Sequence, residues 1–153
     1  MSAETRLAEL KLVLPPPPTP QGAYRTIVRV GDLVYLSGHA PLRADGSRIT
    51  GRLGADMDVV AGQAAARQCG LAILATLRAK LGSLDGVRRV VRVFGLVNAT
   101  PDFRQHSQVV NGCSELFLEV FGNEHGAGVR TSAGMSSLPG HIAVEIEAIF
   151  EVG

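Results

Sequence analysis

The sequence predicts an α+β domain in the order β-β-α-β-α-β-β, with two helices packed on one face of a mixed sheet. Three observations predict it. The stretch Ile142 to Phe150 alternates, with Ile142, Val144, Ile146, Ala148 and Phe150 on one side and Ala143, Glu145, Glu147 and Ile149 on the other. That is the period of a strand with one face in a core. A long helical pattern runs from Asp56 or Asp58 to Leu81, and a second follows Thr100-Pro101-Asp102. Between and before them lie short runs rich in Val and Leu, punctuated by Gly and Pro, which read as strands.

In chain order, residues 1–20 form a lead-in. Leu7, Leu10 and Leu14 fall on one stripe of a short helix, which Pro15 to Pro18 stop; the prolines that follow read as a stiff extended segment. Residues 21–153 form one domain. Ala23 to Val30 and Asp32 to Ser37 read as a hairpin turning at Gly31-Asp32, and Arg43 to Gly54 as a loop. Asp56 and Asp58 offer N-caps to the first long helix, Leu71, Leu74, Leu77 and Leu81 give its apolar stripe, and Gly82 ends it. Val87 to Val97 is a strand. The second helix is expected to start at Thr100, with Pro101 in its first turn, and to close at Gly122, where a glycine-rich loop leads to the final pair of strands.

With 153 residues the chain can bury an ordinary single-domain core, and with 5% aromatics and no Trp that core must be largely aliphatic. The formal charge of +1 gives no reason to expect a nucleic-acid or anionic membrane partner. No apolar run approaches membrane-spanning length, and the N-terminal residues lack the pattern of a secretory signal, so a cytoplasmic location is expected. Cys69 and Cys113 lack metal or redox spacing and read as buried thiols. The histidines, His39, His106, His125 and His141, lack metal-motif spacing, and no phosphate loop, dinucleotide fingerprint or serine elbow is present. No cofactor and no metal are expected. If both helices cover one face of the sheet, the other is left with Val and Leu positions mixed with Arg130, Glu145 and Glu147, so self-association through it is expected.

The chemistry-bearing stretch is Gly128 to Phe150. Arg130 sits there among small residues, and Glu145 and Glu147 stand on the polar side of the last strand. An ion pair within the chain and a ligand contact are both open to Arg130 on these grounds.

The series Gly22-Ala23-Tyr24, Leu36-Ser37-Gly38, Ala66-Arg67-Gln68, Val110-Asn111, Arg130, Leu138-Pro139 and Val144-Glu145-Ile146-Glu147-Ala148 resembles the YjgF-like or Rid family of reactive intermediate deaminases, also called the endoribonuclease L-PSP family. The likeness runs from about Gln21 to Phe150. It implies a chorismate-mutase-like fold and a homotrimer with ligand clefts between subunits. The implied reaction is hydrolysis of 2-imino and 2-enamino acids to 2-keto acids and ammonia, without a cofactor. Arg130 matches the arginine that grips the substrate carboxylate, a role suited to a planar, permanently charged fork. Glu145 matches the glutamate that holds the attacking water. Tyr24 and Asn111 match residues that line the cleft or support the arginine, and Ser37 and Gly38 match the strand end beside it. The chain departs from the family pattern at Ser132 (often Cys), at His39 (often Gln), which is expected to change the polarity of the cleft, and at Gly134 (often acidic). Two further functions compete with the deaminase: a non-catalytic trimer that binds a small carboxylate through Arg130, and an endoribonuclease or translation inhibitor relying on Arg88, Arg89 and Arg92.

Overall fold

The computed structural model describes residues 1–153. Its elements are α1 (Ala3–Glu9), β1 (Ile27–Val30), β2 (Leu33–His39), α2 (Val59–Leu81), β3 (Val87–Asn98), α3 (His106–His125), β4 (Val129–Met135) and β5 (Val144–Val152). The strands form one mixed sheet in the order β1-β2-β5-β3-β4. Only β3 and β4 run parallel; the other neighbours are antiparallel. The expected α+β architecture, with two long helices against one face, is the one observed.

The alternation read from β5 is realised: Val144, Ile146, Ala148 and Phe150 are buried, while Glu145, Glu147 and Ile149 face away from the helices. Phe150 meets Phe117 and Phe121 of α3 with ring centroids 5.4 and 6.0 Å apart, an aromatic knot in an otherwise aliphatic core. Asp58 caps α2 by accepting from the Ala61 N–H at 2.8 Å, and Gly82 ends it in the left-handed conformation with φ of 82°. Asp56 accepts instead from the Arg52 N–H and closes the preceding turn. The two long helices touch backbone to backbone at Gly112, where a Cβ would stand 2.8 Å from the carbonyl carbon of Gln63. Cys69 and Cys113 are fully buried, unbridged thiols whose pKa values burial pushes up.

Three expectations need correction. The second long helix begins at His106, not at Thr100, because residues 100–103 are committed to a turn. Thr100 donates to Asp102 Oδ1 at 2.8 Å and its carbonyl accepts from the Phe103 N–H. Gly122, with φ of 84°, breaks that helix as expected, but one further turn runs on to His125 where a loop was expected. The first strand starts only at Ile27, the preceding residues being bent with Gln21 donating to the Tyr24 hydroxyl at 3.2 Å. The sequence leaves the neighbours of the last two strands open; in the sheet β3 lies between them.

The N-terminal segment docks on the core. Leu7 is buried, the Glu4 carboxylate accepts from the Leu84 N–H at 2.9 Å, and the same carboxylate pairs with Arg78. No helix is long and apolar enough to cross a membrane.

Candidate functional site

Residues directly opposite each other in paired strands share a face of the sheet. Arg130 on β4 stands opposite Val93, a core residue, so its side chain goes to the helix face at the sheet edge and not, as expected, to the open face with Glu145 and Glu147. There Nη1 donates to Asn111 Oδ1 at 2.7 Å and to Ser114 Oγ at 3.2 Å, and Nη2 donates to Ser107 Oγ at 2.5 Å and to the Ser107 carbonyl at 3.4 Å. Every partner is neutral. No carboxylate lies within ion-pair distance, so an intrachain ion pair with Glu145 or Glu147 is not formed. Ser132 shares this face two residues on, and its hydroxyl is buried without a hydrogen-bond partner.

Glu145 stands opposite Leu96, on the face away from the helices. Its carboxylate lies over Gly38 of β2, whose missing side chain makes the room: a Cβ there would come within 2.7 Å of Glu145 Cδ and 2.9 Å of Cγ. The pKa of the Glu145 carboxyl is raised from its ordinary value, chiefly by burial and then by the neighbouring Glu147, while Arg48 opposes the rise. Beside it Ser37 lines a shallow cavity of about 420 Å3 with Tyr35, Phe94, Ile149, Arg92 and Glu147. Tyr24 is 49% exposed in the bend before β1, and its hydroxyl is held locally by Gln21.

Within one chain, then, the expected residues fall into two groups on opposite sides of the sheet: Arg130, Asn111 and Ser132 on one, Glu145, Ser37 and Gly38 on the other. His39 belongs to neither. It was expected at the cleft, but it is 2% exposed in the core between β2 and α2, with Nε2 2.8 Å from Thr76 Oγ1. Ser107 and Ser114 were not anticipated. Their signal was the spacing Ser107, Asn111, Ser114, which puts three short polar side chains on one helical stripe facing Arg130. The three arginines that a nuclease would need diverge. Arg88 reaches toward Glu151, Arg89 donates to the Glu124 carbonyl, and Arg92 lies over the Phe94 ring at 5.3 Å. No three His, Cys, Asp or Glu side chains converge as metal ligands.

A mixed five-stranded sheet backed by two long helices that run the same way, with a carboxylate-free arginine on the edge strand and a glutamate on the central one, defines a class with known relatives. Residues 4–139 match the family described as "YjgF/chorismate mutase-like, putative endoribonuclease", and the chain belongs to that family. It is similar to the protein TCP17 of Trypanosoma cruzi, 41% identical over 146 residues that span 95% of this chain and 91% of that one. Among solved structures it resembles Atu1372 from Agrobacterium tumefaciens, a protein of unknown function, at 38% identity and a TM-score of 0.89. That likeness covers 99% of this chain and 94% of the other. A "putative endoribonuclease" from Shewanella oneidensis superposes with a TM-score of 0.94 at 29% identity, covering 99% of this chain and all of the other.

Proposed function

We propose that the protein hydrolyses small 2-imino and 2-enamino acids to 2-keto acids and ammonia, in clefts that a second copy of the chain completes, within a homotrimer. The observation that carries this reading is the state of Arg130: a part-buried guanidinium held by neutral oxygens and left without an anion. Burying a permanent cation without a counter-charge is costly unless a ligand supplies one. A substrate carboxylate is such a ligand. The Ser107 and Ser114 hydroxyls, which accept from the guanidinium, retain their own protons to donate to it.

Glu145 suits the second role. An imine carbon is already electrophilic, so a fixed carboxylate clamp and a positioned water go far toward reaction. Glu145 accepts a proton as the water oxygen bonds to the imine carbon and passes it to the nitrogen, giving a carbinolamine. The hydroxyl proton of that carbinolamine is then relayed through the same carboxylate to the amino nitrogen as the C–N bond breaks, so that ammonia departs, the keto acid remains and Glu145 is again ionised. A carboxylate raised by burial is a better base for this purpose than an exposed one.

Because Arg130 and Glu145 face opposite sides of one sheet, each site takes its arginine from one copy and its glutamate from the next. The decisive experiment follows ammonia release from freshly generated 2-aminoacrylate. Wild type accelerates it; Arg130→Ala and Glu145→Gln do not. Refolding the two variants together in equal amounts restores about a quarter of the wild-type sites, since each mixed ring of three regains one intact interface. Activity in Glu145→Gln alone would sink the mechanism, and no recovery on mixing would sink the shared site. A trimer that only binds carboxylates through Arg130 predicts binding of a 2-keto acid with no turnover by any form.

A further inference from the structure

His39 takes no part in that chemistry, yet it is built into the wall of the cleft from behind. Along β2, Val34 and Leu36 enter the core while Tyr35 faces out, so a two-residue period would turn His39 outward. It turns inward because the register slips. Leu36 stands opposite Ala148 and His39 opposite Ile146, three steps of β2 against two of β5. That is a β-bulge, and bulges re-aim side chains at the cost of local ladder bonds.

The imidazole fills both needs that the bulge creates. Its Nδ1 lies 2.6 Å from the Ser37 carbonyl and its Nε2 lies 2.8 Å from the hydroxyl of Thr76 on α2, which is itself 4% exposed. A carbonyl only accepts, so Nδ1 carries the hydrogen and Nε2 accepts from Thr76. A neutral ring satisfied at both nitrogens is the form that burial favours, and burial holds its pKa below the ordinary histidine value, against the Ser37 carbonyl. On the other side of the same bulge, Gly38 presents the bare backbone on which the Glu145 carboxylate rests.

We propose that His39 is a positioning residue: from the core it pins the Ser37–Gly38 bulge to Thr76 of α2, and so fixes the seat of the Glu145 carboxylate on the opposite face. The substrate carboxylate, gripped elsewhere by Arg130, is untouched by this device. Loosening it therefore lowers kcat far more than it raises KM. It also changes the surroundings of Glu145 whether or not any substrate is present.

The test uses the assembled full chain in three variants. His39→Leu loses both hydrogen bonds, His39→Asn keeps an amide N–H within reach of the Ser37 carbonyl, and Thr76→Val loses only the tether to α2. Glu145 is titrated by 13C NMR of labelled glutamate, and amide exchange is followed at Gly38, His39 and Ala40. His39→Leu should move the Glu145 titration and speed exchange at those amides by at least about tenfold. Thr76→Val should do the same to a lesser degree, and His39→Asn should recover part of the loss. In turnover of 2-aminoacrylate, kcat should fall by about ten- to a hundredfold in His39→Leu with KM little changed. A core variant of matched thermal stability, Ile73→Val, should leave both constants as they are. If the Glu145 titration and the exchange rates are the same in all forms, the proposal is overturned; so it is if 15N shifts show the Nε2–H tautomer or a charged ring at neutral pH. The kinetic arm rests on the deaminase reading, but the NMR arms do not, so a protein inactive on imines would overturn that reading and still decide this one.

Discussion

Gly38→Ala isolates the geometry of the site from the stability of the fold. Gly38 has no left-handed backbone angle, so alanine is allowed there on conformational grounds. The three atoms nearest the added Cβ all belong to one side chain. It is that of Glu145, whose Cδ would stand 2.7 Å away. Ordinary carbon contact begins near 3.5 Å, so the carboxyl must retreat by about 0.8 Å or swing to another rotamer. Swinging a half-buried side chain costs little, and Gly→Ala reduces the entropy of the unfolded chain by an amount worth about 0.4–1 kcal/mol. The melting temperature should stay within a few degrees of wild type, on the order of what 1 kcal/mol produces in a domain of this size. Activity should not stay: a misplacement near 1 Å costs about a hundredfold in rate. The assay is steady-state ammonia release from 2-aminoacrylate, paired with calorimetric binding of a 2-keto acid, which Arg130 should hold with wild-type affinity. Wild-type kcat in a folded Gly38→Ala protein would refute the seat assigned to Glu145, and lost keto-acid binding would refute the division of labour between the two faces.

Glu145→Gln should abolish turnover yet stabilise the protein at neutral pH. With its folded-state carboxyl raised by burial and by Glu147, the native chain holds that proton more tightly than the unfolded chain does. Stability therefore falls as pH rises through the window between the two values, and above it the ionised group is a net liability. The gain from glutamine should be seen in thermal melts near neutrality and fade once the pH is below the ordinary carboxylate range; an equal gain at every pH would contradict this origin. Gly112→Ala should act in the opposite sense, on the fold alone. Its Cβ meets the backbone of Gln63, which cannot swing away, so about 1–3 kcal/mol should be lost, read as a lower urea midpoint. An unchanged midpoint would mean that the two helices have room to part.

What the sequence disclosed and what it hid follow from the range of the interactions involved. The alternation of β5, the Asp58 cap and the Gly82 stop are local, and each was legible because a few neighbouring residues decide it. The start of α3 was misread because Thr100-Pro101-Asp102 satisfies every local rule for a helix start, while the Thr100 hydroxyl is spent on Asp102 and its segment is bridged to Leu53 through Ala99. His39 was placed on the wrong face because a bulge is a matter of register between β2 and β5, which neither strand encodes alone. Arg130 and Glu145 were found through the family pattern, but their opposite facing shows only once β3 is known to lie between their strands. Ser107 and Ser114 gain meaning only when α3 is laid against β4.

The position of β5 bears on how the chain folds. It comes after every other strand, yet β2 pairs with one of its edges and β3 with the other. Until it is in place, the β1–β2 hairpin and the parallel β3–β4 pair share no hydrogen-bonded edge, and the apolar faces of α2 and α3 have only part of a sheet to cover. The sheet must then close through long-range pairing, which is slow and leaves strand edges open to other chains in the interval. A nascent chain lacking β5 is thus two unjoined strand pairs beside a helix layer, and protection of the β2 and β3 amides should appear together, in the step that inserts the last strand.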